Sequence, residues 1–458
     1  MQGNCYFRSK ILQIMLKKTP KEIQGDLFRV RLVDFIDMNH ELVLLANNID
    51  WAYFEKAFEK YYSDQGRPAM PIRFMVGCLL LKQMFNLGDE TLPQMWIQNP
   101  YMQYFCGMIF FEHRFPCNPS DFSHFRKRIG KEGVEMIFAY TVKLHGKEAE
   151  STQMLSDTTV QEENISFPTD AKLAKQVINR CRKIAAKEGI EQRQSYSRVS
   201  KQLLREAYFG THPRRRKKAA RAVRRLRTLG GRVVRELLRN MTEEQKERYR
   251  EELEIMQQVL TQQKNDKDKI YSLHRPETSC IAKGKSHKPY EFGHKVGLMI
   301  HPKSLVITAV KAFKGNPHDS RTIAPLLEQM KLNGIRLPKE VVYDRGGRGV
   351  SQIEGTRVST PDNGRKKQSR YAQQKKRKKF RRRAAIEAVI SHLKRQFRMG
   401  INYLFGKGKA QINAFLSAAA WNLRKFMERL KKSLSFLLHF FTRLLEYFLG
   451  KNFRYSLH

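Results

Sequence analysis

The twenty residues from Gly364 to Arg383 carry 12 Lys or Arg and no acid, and no protein interior can accept them. Burying even one unpaired charge is costly, so this stretch must lie in solvent or against a polyanion. It reads as a loop leading into a helix that runs from roughly Phe380 to Arg398. A second basic block, Arg214-Arg-Arg-Lys-Lys218 followed by Arg221-Ala-Val-Arg-Arg-Leu-Arg227, forms one long basic face in a helical stretch. The whole chain has the same bias: 458 residues, 87 Lys+Arg against 44 Asp+Glu, net charge +43. Self-repulsion on that scale points to an anionic partner. Ribosomal and membrane-surface proteins share the bias, whereas a small-molecule substrate is disfavoured.

The chain is nonetheless a folding one, with 41% hydrophobic and 10% aromatic residues and length for two to three domains. Its six cysteines contain no C-x-x-C pair, which argues against a zinc ribbon or a disulfide framework and for a reducing compartment. Met1 to Lys10 lacks the apolar core of a signal peptide. The greasiest run, Leu434 to Leu449, is interrupted by His439, Arg443 and Glu446 and is too short and too charged to span a bilayer. A cytoplasmic protein without a membrane partner is expected.

Periodicity divides the chain. Residues 1–150 read as helical, including a buried helix that starts at Pro71 and another that opens at Asn118-Pro-Ser-Asp with a serine or aspartate cap. In the latter, Phe122, Phe125 and Ile129 share one face, leaving Arg126, Lys127 and Arg128 either as ordinary solvated charge or as phosphate contacts. Residues 151–170 and 269–405 read as an α/β core, with strands at Met154–Val160, Phe292–His301, Leu305–Phe313 and Glu340–Tyr343. Residues 171–268 form a basic helical insertion, and residues 406–458 a C-terminal helical segment starting near Gln411.

Three acids stand out by position. Asp157 lies within an apolar strand, Asp344 ends a strand before the glycine-rich Arg345-Gly-Gly-Arg-Gly349, and Glu387 lies between apolar residues of a helix. At 3.6 residues per turn, Phe380, Arg383, Glu387, Ser391, Lys394 and Arg398 share a polar stripe beside the apolar stripe of Ile386, Val389, Ile390, Leu393 and Phe397. Converging carboxylates shed their repulsion by binding a hard cation such as Mg²⁺ or Mn²⁺, and flanking cations suit phosphate. Three unrelated solvated acids, with Arg383 and Glu387 forming a surface pair, are the other reading of the same residues. Asp170, Glu162 and Glu163 read as solvated, and His318-Asp319 as a loop cap or a fourth metal or water contact. Tyr371 and Phe380 offer rings for an extruded base; Trp421 reads as core.

The spacing Arg383-x3-Glu387-x6-Lys394 resembles the Y-x2-R-x3-E-x6-K signature of bacterial insertion-sequence transposases of the DDE superfamily, with Phe380 in place of the tyrosine. Ser156-Asp157-Thr-Thr-Val160 is similar to that family's first-aspartate strand, and Val341-Val-Tyr-Asp344-Arg-Gly-Gly-Arg-Gly349 to its second. Lys283 to Lys295 resembles the segment between them, and Pro119 to Arg126 the end of its helical N-terminal domain. The likeness covers about residues 60 to 430 and is greatest to the group named after insertion sequence five.

The resemblance implies an RNase H-like catalytic core interrupted by a helical insertion and preceded by an all-α N-terminal DNA-binding domain. It implies that Asp157, Asp344 and Glu387 are catalytic and hold two divalent ions, Mg²⁺ or Mn²⁺, for DNA strand cleavage and strand transfer. It further implies double-stranded DNA as partner, a homodimer on element ends, and a bacterial, nucleoid-associated location. Arg383, Lys394 and Arg398, the run Lys375, Lys376, Arg377, Lys378 and Lys379, and Arg126, Lys127 and Arg128 are the expected DNA contacts. A metal-dependent nuclease that cuts without joining, and a transposase-derived DNA-binding protein, are the alternatives.

Overall fold

A computed structural model describes residues 29–62, 69–210, 212–282, 288–361 and 369–453, the last twenty by backbone alone. The stretches 283–287 and 362–368, on which part of the sequence reading falls, lie outside the described residues. The chain forms two compact units. Among the described residues, no helix is long and apolar enough to cross a membrane.

The first unit takes residues 1–159, 296–312 and 318–458. Its helical part comprises α1 (Glu41–Asn48), α2 (Trp51–Phe58), α3 (Ile72–Met84), α4 (Thr91–Gln98), α5 (Pro100–Phe105) and α6 (Pro119–Lys143). The α3 helix is mostly apolar and every residue of it but Arg73 is buried, as suits a central helix. The cap of α6 is Asn118, which forms a reciprocal capping box with Asp121, rather than the serine or aspartate alone. One basic residue expected on the surface of α6 is not there. Arg126 is 7% exposed and donates two hydrogen bonds to Asp89, at 3.0 and 2.7 Å. Asp89 also takes Lys82 at 2.6 Å, and burial, with Arg126 nearby, pulls that ammonium down to about 8. A charge-assisted bidentate pair holds its partners strongly, so Arg126 is withdrawn from the phosphate-contact set. Lys127 is exposed, and Arg128 lies 5.1 Å over the Tyr62 ring.

The sheet of this unit is built on β1 (Gln153–Glu163), of which residues 153–159 belong here. The insertion that follows holds α7 (Asp170–Lys187), α8 (Ser197–Tyr208), α9 (Arg216–Asn240), α10 (Glu243–Arg248) and α11 (Arg250–Thr261), then β2 (Ser279–Ala282). The chain returns through β3 (Tyr290–Ile300), β4 (Ile307–Phe313), α12 (Ile323–Leu332), β5 (Glu340–Val342), β6 (Gln352–Ile353) and β7 (Thr356–Ser359). It ends with α13 (Arg370–Gln396), β8 (Ile401–Asn402) and α14 (Lys409–Phe453). Neighbouring strands are β4-β3-β1-β5-β7-β6, with β8 also pairing β1. β1, β5 and β7 are parallel, with Met154 opposite Val341 and Val341 opposite Val358. Parallel strands buried on both faces read as continuous apolar runs, as Met154-Leu155 and Val341-Val342 do. The α14 helix packs on α6 and α3, and its buried Asn422 bonds both the N–H and the C=O of Ile307 at 2.9 Å. Helices and sheet share one hydrophobic core. The protein is therefore a mixed α/β chain with a helical N-terminal region.

The second unit, residues 160–295 and 313–317, has its own core, in which α7, α9 and α11 bury Val177, Ile178, Leu226, Val233 and Met256. There β2 pairs antiparallel with the start of β3, Cys280 opposite Phe292. Glu163 is a correction. Its carboxylate is buried and ion-paired with the buried Arg275, and His294 Nδ1 lies 3.2 Å away. Glu162 pairs with Lys288, and Asp170 with Arg227 and Lys269, so these acids too have cationic partners.

Candidate active site

The parallel strands carry Asp157 on β1 and bring the chain to Asp344 just past β5, whose carboxylate caps the following turn by accepting from Gly346 N at 2.8 Å. The third acid comes from α13. That helix starts at Arg370, ten residues before the expected start. Ser369 caps it, accepting from Ala372 N, and the Lys, Arg and Gln residues that follow are good helix formers without a breaker. Ile386, Val389 and Leu393 are buried and dock the helix, which leaves Arg383 and Glu387 along the edge of the contact.

Arg383 joins two of the acids. Its guanidinium donates through Nη1 to Asp157 Oδ2 at 3.1 Å and through Nη2 to Glu387 Oε1 at 2.7 Å. The Asp157 side chain is 16% exposed and that of Glu387 60%, so one carboxylate is set into the fold and the other reaches out from the helix. The two readings of the Arg383–Glu387 spacing therefore meet: the i, i+4 pair exists, and it is tied to the strand aspartate.

A fourth acid lies here. Asp319 follows His318, which caps the Asp319–Thr322 turn by accepting from Ser320 N. The cap reading holds for the histidine. The aspartate instead accepts from the Thr158 hydroxyl at 2.9 Å, next to Asp157 in sequence. A Cβ built on Gly346 would overlap Asp319 Oδ2 and come within 3.0 Å of Asp344 Oδ1, so the glycine leaves room for two carboxylates side by side. Burial, then the charge of Asp319 and, more weakly, of Asp157 and Asp344, push the Tyr343 hydroxyl well above the usual phenol range. Asp319, Asp157 and Asp344 all lie near enough to this buried hydroxyl to act on it.

Carboxylates are the hard oxygen donors that a divalent ion takes, so the donor chemistry fits one. Among the described residues, no three His, Cys, Asp or Glu side chains already meet closely enough to hold a metal ion. In this arrangement Arg383 supplies the positive charge between Asp157 and Glu387.

Two family models match the chain: one described as a transposase domain over residues 30–128, the other as a transposase DDE domain over residues 261–423. The chain belongs to the DDE transposases of insertion sequences. It is also 39% identical over 205 residues to a Rhizobium meliloti protein described as uncharacterized protein ORF8 in nfe locus. That match covers 44% of this chain and 99% of the Rhizobium protein. No solved structure matches.

The basic residues of the transposase divide by what they touch. In the run on α13, Lys375, Arg377 and Lys378 are exposed and Lys376 is half-buried. Lys379 instead turns to the sheet and pairs with Glu340. Although burial would raise it, the Glu340 carboxyl is held below its usual range by hydrogen bonds from Lys379, Ser359 and Gln153. Arg398 does not extend the polar stripe, because α13 stops at Gln396 and Arg398 has a positive φ of 59°. It lies 5.2 Å over the Tyr403 ring and donates to Asn86 O at 3.2 Å. Lys394 lies in the last turn of α13 and is half-buried. Tyr371 is exposed, Phe380 packs against the core, and Trp421 is buried, donating to Leu305 O.

Proposed function

We propose that this transposase cleaves insertion-sequence ends and joins them to target DNA, with Asp157, Asp344 and Glu387 as its catalytic acids. The observation that carries the reading is the Arg383 bridge, which ties the strand acid Asp157 to the helix acid Glu387 beside the field of Asp344 and Asp319. The strand order β4-β3-β1-β5-β7, with α13 behind it, supports an RNase H-like core interrupted by residues 171–268. The three acids would hold two Mg²⁺ or Mn²⁺ ions, which when bound supply activation of the nucleophile and charge stabilisation at the leaving oxygen. Arg383, which here pairs with both carboxylates, would hold the non-bridging oxygens of the scissile phosphate. Lys394, about two turns along α13 from the acid, would hold a flanking phosphate. Water attack at phosphorus breaks the P–O3′ bond and leaves a 3′-hydroxyl, which then attacks the target strand in the same in-line manner. Lys375, Lys376, Arg377, Lys378, Lys127 and Arg128 would meet duplex backbone, and two copies of the chain would act on paired ends in the bacterial cytoplasm.

The test is incubation of the protein with the element's end DNA and Mg²⁺ or Mn²⁺, with nicks and joined products resolved on a sequencing gel. Asp157→Asn and Asp344→Asn should each abolish cleavage; the melting temperature should hold or rise for Asp344→Asn, which relieves repulsion with Asp319, and fall for Asp157→Asn, which breaks the pair with Arg383. Cleavage that persists in either variant removes that aspartate from the site, and cutting without joining favours the nuclease reading.

A further inference from the structure

The insertion holds a charge pattern that the catalytic site does not use. From Ser197 to Asn240, covering α8 and α9, there are 15 Lys+Arg and 2 Glu; from Met241 to Asp268, covering α10 and α11, there are 5 Lys+Arg and 8 Asp+Glu. Where acids are present the unit pairs them: Arg180 with Glu252, Arg248 with Glu188, Lys246 with Glu243. On α9 it does not. Arg221, Arg224, Arg225, Arg232, Arg235 and Arg239 are all exposed, and none has an ion-pair partner among the described residues.

Their spacing makes one face. At about 100° per residue, every exposed cation from Lys217 to Arg239 falls within an arc of about 120°. Ala219, Ala222, Leu226, Val233 and Leu237 fill the opposite arc and are buried, which fixes the rotation of the helix. Arg227 lies off the stripe and is the one α9 arginine paired with Asp170. Like charges three and four residues apart destabilise a helix by roughly 0.2–0.5 kcal/mol per pair. A helix built this way calls for a polyanion. The stripe is about 33 Å long at 1.5 Å per residue, close to one turn of B-DNA at roughly 34–36 Å. At its start the exposed Tyr208 and Phe209 pack edge to face, with Arg215 4.7 Å over the Phe209 ring.

We infer that the outer face of α9 is a second DNA-binding surface, which takes duplex DNA by its phosphates without reading sequence. The choice of duplex DNA among polyanions rests on the proposed reaction; the charge stripe itself does not.

The test uses the full chain with Arg221, Arg224, Arg225 and Arg232 all replaced by Gln, and measures affinity for duplexes of unrelated sequence against salt. Each phosphate contact contributes a slope of roughly −0.9 in log K against log salt, so the slope should shrink by about 3 to 4. Affinity should fall about equally for every duplex, and the matching Arg→Lys set should restore both. An unchanged slope, or failure of the Lys set to restore it, overturns the inference, as does an RNA hairpin that outcompetes duplex DNA on the unaltered protein. If the Gln set does not fold, arginine modification of the unaltered protein gives the same answer: duplex DNA should protect Arg221 to Arg239, and equal modification with and without DNA overturns the assignment. Metal-dependent cleavage by the unaltered protein, and its loss in Asp157→Asn, are read separately, so failure of the catalytic reading leaves this measurement intact.

Discussion

Two basic helices, α13 and α9, use nearly the same residues for opposite ends. On α13 the cations nearest the sheet are held by protein groups: Arg383 by Asp157 and Glu387, Lys379 by Glu340, Arg382 by the Pro302 carbonyl. On α9 the outward cations face solvent together, and the lone acid of the helix, Glu236, accepts from the Arg193 backbone instead. Charge that is already balanced inside the fold can orient carboxylates and be exchanged for another cation. Charge left unbalanced can only recruit an anion from outside. A count of Lys and Arg cannot separate the two cases, because the difference lies in which acids the fold brings within reach.

The largest effect that would break this contrast is at Glu387. Glu387→Gln keeps the shape of the side chain and deletes its charge, so cleavage in Mg²⁺ should fall by orders of magnitude if the carboxylate is a metal ligand. Binding to end DNA without metal should hold or tighten, because the backbone meets less repulsion. A plain surface pair behaves otherwise, with near-normal cleavage and a stability loss of ~0.2–1 kcal/mol. Near-normal cleavage would make α13 the same kind of helix as α9, and would remove Glu387 from the site.

A smaller effect tests whether Arg383 stands where a divalent ion would bind. Arg383→Gln leaves Asp157, with its largely buried side chain, facing Glu387 without a cation between them. Removing one partner of such a pair costs roughly 1–3 kcal/mol, so the melting temperature without metal should drop. Added Mg²⁺ or Mn²⁺ should recover more stability in the variant than in the unaltered protein, through preferential binding to the folded state. A variant that melts lower and gains nothing extra from either ion would show that Arg383 is structural and that no ion binds between these carboxylates.

How much of this was legible in the residues depended on whether the deciding contact was local. The strands around Asp157 and Val341 and the buried face of α13 follow from alternation and helical period, and they are present. A run of charge resembles a loop, so the early start of α13 shows in the sequence only through the Ser369 cap and the strong helix formers after it. Arg126, Glu163 and Lys379 are not legible as paired residues for one reason: their partners Asp89, Arg275 and Glu340 are distant in sequence, and no periodicity announces an ion pair across the fold. Asp319 follows the cap residue His318 in sequence, and only the register of β1 carries Thr158 to it. Arg398 fell off its stripe because the helix ends two residues earlier, in a positive-φ residue that a wheel projection cannot represent.

The smallest effect separates the two helices most cleanly, since it moves stability and binding in opposite directions. Arg221→Glu on α9 places an acid three and four residues from Lys217, Lys218, Arg224 and Arg225. Four repulsive spacings become attractive ones, and the best oriented has the acid four residues before Arg225. At ~0.2–0.5 kcal/mol per pair the helix should gain on the order of 1 kcal/mol, read as a higher melting temperature at low salt that fades as salt screens the pairs. Duplex DNA affinity should fall at the same time, because the charge of the stripe drops by two where a phosphate would sit. On α13 an acid in place of an engaged cation has no such gain to make, since the carboxylate it would face is already there. A fall in melting temperature for Arg221→Glu would mean that Arg221 is held by the protein after all, and the contrast between the two helices would be lost at its most exposed point.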